Sequence, residues 1–141
     1  MKVKTKTFLA TLKDKKGQNL VEFAFVVPLL LLLVIGIAEF GRAWMTKNIL
    51  TGAAREAVRL AAVPAPGGGW NGPGATARAV EVLTSAGIIA DNVVVTDAPL
   101  AYGAVSVTVN YGFPVVIAGF VPGLDCSVIP LTSTTTMRRE Y

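Results

Sequence analysis

A single carboxylate, Glu22, stands at the head of the run Phe23 to Ala38, sixteen residues without a charge that end at Glu39. As a helix this run rises ~24 Å, short of the ~30 Å hydrocarbon thickness, so the two glutamates are pressed toward opposite membrane faces. A carboxylate in a transmembrane segment costs roughly 2.5–3.5 kcal/mol at the bilayer centre and less near an interface, and such groups face a partner or a polar cavity. The chain is therefore constrained twice over. It needs a helix that enters lipid, and it needs a cation that reaches Glu22.

The residues just before Glu22 offer a source for that cation. If the chain is cut after Gly17, Gln18 carries a new α-ammonium one helical turn before Glu22, available within one chain or between neighbours. Lysines, then Gly17, then Glu22 as fifth residue after the cut, then leucines is an order that resembles the type IV pilin-like signal, in which a prepilin peptidase cleaves after the glycine. A plain signal anchor with a stray interfacial glutamate is the simpler alternative. A cleavable secretory signal would need a small-x-small site after the apolar run, and Ile37-Ala38-Glu39-Phe40-Gly41-Arg42 supplies only a poor one. The lone cysteine, Cys126, excludes a lipoprotein signal.

Charge separates at the same glycine. The net +4 comes from the first seventeen residues, which hold six lysines against Asp14, and the remainder has seven Arg or Lys against eight Asp or Glu. A nucleic-acid binder keeps a basic face on its folded part, so no nucleic acid is expected here. The lysines instead follow the positive-inside rule, holding the N-terminus in the cytoplasm and sending the rest outward. Histidine is absent, which removes the usual general base and the commonest metal ligand. Cys126 cannot close a disulfide within the chain and reads as a small buried apolar residue.

Taken in order, residues 1–17 read as a cytoplasmic leader and 18–63 as one helix, with a membrane span at about 20–41 and an amphipathic continuation over 42–62. Pro28 is expected to kink or loosen the span. Glu39 and Arg42 stand three apart, a spacing that lets them pair at the membrane boundary. Beyond it, Met45, Ile49, Ala53, Ala57 and Leu60 fall on one stripe, and Lys47, Thr51, Arg55 and Arg59 on another. The distal half of the alanine-rich stripe is expected to pack on the chain's own sheet.

Residues 64–74, rich in glycine and proline, read as a loop, with Trp70 as an apolar anchor that folds it back or, alternatively, an exposed contact. No Gly-Lys-Ser/Thr follows them, so they are no phosphate cradle. Residues 75–141 read as a small α+β domain. A helix is predicted from Ala75 to Ala86, stopped by Gly87, and strands over Asn92 to Thr96, Ala104 to Tyr111 and Leu131 to Met137. Phe113 to Pro130 reads as a loop packed on the sheet, since no uninterrupted apolar run in it approaches ~20 residues, with a weak membrane-associated hairpin as the alternative. The fold class is α+β: a long N-terminal helix, a short second helix and an antiparallel sheet of about three strands.

Four stretches together, Gly17-Gln18-Asn19-Leu20-Val21-Glu22-Phe23, Pro28-Leu29-Leu30-Leu31, Gly41-Arg42 and Ala53-Ala54-Arg55-Glu56-Ala57-Val58-Arg59, resemble the TadE-like family of pseudopilins from the bacterial Tad (Flp) pilus assembly system. The resemblance implies a non-enzymatic inner-membrane subunit with a periplasmic C-terminal domain, processed at Gly17 and Gln18, able to enter or support an extracellular adhesive pilus. It implies that Glu22 serves processing or assembly, and that Phe23 is the aromatic following that glutamate in major Flp pilins. Partners would be the prepilin peptidase, other pilins or pseudopilins and the Tad inner-membrane proteins, with no cofactor or metal. Many type IV pilins begin with an N-methylated Phe, whereas this one would begin with Gln18.

A type II secretion pseudopilin shares the cleavage logic and is the alternative, followed by a signal-anchored periplasmic domain. An envelope adhesin would call for a larger exposed domain. An anchored enzyme would have to draw on Asp91, Asp97, Asp125 and Cys126, which are scattered without a recognisable spacing.

The cleavage reading makes a direct expectation. Protein extracted from membranes should yield an N-terminal peptide that begins at Gln18, either as free glutamine or in its cyclised form, by mass spectrometry. A peptide that still carries the lysines would remove the cation assigned to Glu22.

Overall fold

A computed structural model describes residues 15–97, 103–116 and 128–139 of the chain. It has an α+β layout of two helices and a three-stranded antiparallel sheet. Helix α1 runs Lys15–Ala61 and α2 runs Gly72–Ser85; β1 is Asn92–Thr96, β2 Ala104–Pro114 and β3 Val128–Arg138. The chain divides into two compact units between Ala38 and Glu39.

The first unit is the apolar part of α1. Its helix passes through Pro28 without interruption. The large side chains, including Leu20, Phe23, Phe25, Leu29 and Leu30, are exposed. By length and composition, this is a helix able to cross a membrane.

The second unit carries the core. Leu50, Ala53, Ala54, Ala57, Val58 and Ala61 of α1 join Ala75, Ala79 and Leu83 of α2 and Val105, Val107 and Val109 of β2 in one buried cluster. The strands lie in the order β1-β2-β3. Val93 sits opposite Val109 and Val95 opposite Val107, while Val107 and Val109 face Thr135 and Ser133 on β3. The alternation of β2 sends its valines into the core and Ser106, Thr108 and Asn110 outward. On that outer face Thr108 and Thr134 share a hydrogen bond of 3.0 Å, and the Thr132 hydroxyl donates to Asn110 at 2.8 Å.

The distal half of the expected stripe packs in the core, with Ala53 and Ala57 buried and Ile49 and Leu60 against the cluster, but the buried face of α1 is wider than that stripe. Met45 is exposed and Ile49 only partly buried, whereas Leu50, Ala54, Val58 and Ala61 lie in the core with Ala53 and Ala57. Thr51, expected among the solvent-facing residues, turns to the sheet and bonds the nearly buried Ser133 hydroxyl at 3.0 Å. Small residues occur in adjacent pairs here, Ala53-Ala54 and Ala61-Ala62, so several helix phases present equally small faces. The sheet chooses among them.

The stretch from Phe113 to Pro130 contributes to both long strands at its ends. Phe113 keeps the inward parity of the valines and is buried, and Pro130 pairs opposite Gly112. β3 is an edge strand, where a residue without an N–H is tolerated. The middle of that stretch, with Asp125 and Cys126, lies outside the described residues.

Helix α2 begins three residues before the expected Ala75, because Pro73 fits a first turn whose N–H groups have no partner. It ends as expected before Gly87, whose φ of +73° suits the left-handed cap, with Ile88 N–H donating to Leu83 O at 2.9 Å. Trp70 is 39% exposed and lays its ring against Gly72, where a Cβ would collide with it.

Close packing of alanines against valines leaves no room for growth. Ala57→Leu should lower unfolding stability by about 1–3 kcal/mol, read by chemical denaturation of the detergent-solubilised protein. The same change at the exposed Glu56 should move it little.

Candidate functional site

The N-terminal group lies along one stretch of helix. Gly17, Gln18, Glu22 and Phe23 all belong to α1 and are all exposed. The bond between Gly17 and Gln18 thus sits within helical backbone. Glycine there lowers helix stability by about 1 kcal/mol relative to alanine, which eases local opening near the helix start. Gln18 and Glu22 are one turn apart on the same face. Among the described residues no ion pair reaches Glu22.

Glu39 and Arg42 are brought together at the start of the second unit. The Arg42 guanidinium donates to both Glu39 carboxylate oxygens, at 3.0 and 2.8 Å. The Glu39 side chain is only 12% exposed, because the same carboxylate also accepts the Val116 N–H just after β2 at 3.0 Å. Arg42 in turn lies over the Phe113 ring, 5.0 Å from its centre. Glu39 is thus a tie between α1 and the end of β2, across 77 positions of sequence. Sequence reasoning missed this link, since nothing local in Phe113 to Val116 announces an N–H in need of an acceptor.

Two further contacts went unread. The Lys47 ammonium donates to the Thr132 carbonyl of β3, and Phe40 and Trp44 set their rings 6.2 Å apart. The i,i+4 spacing of the two aromatics could have signalled the second.

Of the residues on which an enzyme would have to draw, Asp91 and Asp97 lie among the described residues and have structural partners. Asp91 accepts the Gly112 N–H at 2.6 Å and Asp97 pairs with Arg139 at 2.9 Å. No group of three or more possible metal ligands occurs among the described residues. The site is therefore a helix surface with one acid near its start and a polar tie where the folded domain begins. Such a surface can pack against lipid or other helices.

Residues 17–59 match the TadE-like protein family. That family is associated with the Tad pilus and is not known as a family of enzymes. The match covers Gly17 to Phe23, the whole apolar run and most of the alanine-rich half of α1. Comparison with curated proteins and with solved structures found no match.

The tie at Glu39 can be weighed. Glu39→Ala should cost about 1–3 kcal/mol of domain stability, since it leaves the Val116 N–H without its acceptor and Arg42 without its partner. Glu39→Gln keeps an acceptor and should cost less. Denaturation midpoints of the two variants in detergent give the comparison, and equal midpoints for wild type and Glu39→Ala would show the tie to be idle.

Proposed function

We propose that this chain is a minor pilin or pseudopilin of a Tad pilus system, which supports assembly of an adhesive pilus. Helix α1 holds it in the inner membrane, with the lysine-rich head in the cytoplasm and the α+β unit in the periplasm. A prepilin peptidase cuts after Gly17. The observation that carries the reading is Glu22, fifth after Gly17 at the head of an exposed apolar helix, in a segment that matches the TadE-like family. That match favours the Tad system over type II secretion, with which the cleavage signal alone is compatible.

The mechanism follows from the cost of Glu22. In the bilayer the carboxylate stays near the interface, where water and headgroups lower the penalty. On assembly, apolar helices exchange lipid contacts for one another, and Glu22 meets the ammonium of a neighbouring Gln18. The pair forms in a medium of low dielectric, so an unpaired acid is strongly disfavoured and the axial position of each subunit is fixed. No bond-making chemistry is asked of the folded unit, which selects neighbours by shape.

Two substitutions test the two halves. Gly17→Glu should leave a longer, uncut protein on immunoblots. Glu22→Val should insert in the membrane at normal levels yet lose piliation, and wild-type pili in that strain would defeat the assembly role.

A further inference from the structure

The second unit exposes large apolar side chains at one end. Phe40 and Trp44 on α1 are 69% and 62% exposed, Val116 after β2 is 53%, and Val128 and Ile129 on β3 are 55% and 44%. Their common location follows from contacts within the unit. Glu39 holds the Val116 N–H, Arg42 covers Phe113, and Phe113 and Pro114 pair with Ile129 and Val128. Phe40 and Trp44 share with Pro130 and Leu131 an apolar groove of about 400 Å³. We propose that this end of the domain rests in the headgroup layer of the bilayer, so that a lipid surface holds the folded unit at the sheet as well as at the helix.

Three observations select lipid as the occupant. The first is position: Phe23 to Ala38 falls about 6 Å short of the hydrocarbon thickness, and Phe40 and Trp44 come two and six residues after Ala38 in the sequence. That depth is the boundary zone in which aromatic side chains concentrate. The second is extent, because the patch draws on three elements and is larger than the scattered single apolar residues of an ordinary domain surface. The third is charge. Arg42, half exposed, and Lys47 on the groove wall stand at this end, while the Glu39 carboxylate is paired and largely covered. Asp91, exposed and accepting the Gly112 N–H beside Val128, also stands at this end, so the basic side chains that can meet anionic phospholipid lie on the α1 side of the patch. The long stems of Arg42 and Lys47 can lie along the apolar surface with their heads among the phosphates.

The inference rests on the proposed membrane insertion of α1, and the test keeps the two apart. The full chain is reconstituted into phosphatidylethanolamine/phosphatidylglycerol vesicles containing lipids brominated near the headgroup. Four proteins are compared by tryptophan emission: Trp70→Phe, which leaves Trp44; Trp44→Phe, which leaves Trp70; and Ile129→Trp and Val116→Trp, each with both native tryptophans replaced by Phe. Trp44 and both reporters should lose emission to the brominated lipid and resist aqueous acrylamide, while Trp70 does the reverse. The two reporters lie on different elements, so a local disturbance from one leaves the other to decide. If Trp44 is quenched by lipid but the reporters are open to acrylamide, the helix is inserted and this proposal is wrong. Reporters shielded from both quenchers would mean that a second copy of the chain covers the face, which also overturns it. If Trp44 too escapes the brominated lipid, membrane insertion itself fails.

Discussion

One helix has to satisfy two solvents. Up to Ala38 the side chains of α1 are those that lipid accepts; from Leu50 on, its buried residues are mainly alanines that let a sheet come close. The backbone needs no change at the junction, because every amide in a helix is bonded within the segment in either medium. What changes is the side chain that each turn presents. The short stretch Glu39 to Lys47 joins these regimes and carries the Glu39 and Lys47 contacts to the end of β2 and to β3.

Those contacts decide how the domain begins. Glu39 accepts from Val116 and Arg42, Arg42 covers Phe113, and Lys47 reaches the Thr132 carbonyl. The contacts to Val116 and Phe113 join α1 to the end of β2, and the contact to Thr132 joins it to β3. Packing of Leu50 and Ala57 on Val107 and Val109 is non-directional and could tolerate small rotations of the helix. The polar contacts have fixed donors and acceptors, so they choose one orientation from those that the apolar surfaces permit.

The elements that depend on local pattern were legible in the sequence. β1 occupies Asn92–Thr96 as its valines require, and β2 starts at Ala104 and holds its alternation past Tyr111 to Phe113. The spacing from Gly17 to Glu22 is likewise a property of the chain itself and needs no fold to be seen. The full width of the buried helix face was not legible, because adjacent alanines look alike from neighbouring angles and only the sheet shows that Leu50, Ala54, Val58 and Ala61 are covered too. Nor was Pro130 in a strand, since its tolerance depends on β3 being an edge, a fact of topology. The Glu39 tie to Val116 was invisible for a related reason: its acceptor announces itself and its donor, a backbone N–H, does not.

The run Thr132-Ser133-Thr134-Thr135-Thr136 is chemically almost uniform. A strand of near-identical rungs can slide by two steps and still present hydroxyls to the same neighbours, so its own side chains specify alignment weakly. Here the alignment is gauged from outside the sheet. Thr51 finds Ser133, and Lys47 finds the carbonyl beside it, one turn apart on a rigid rod. The long helix therefore acts as a ruler for the last strand.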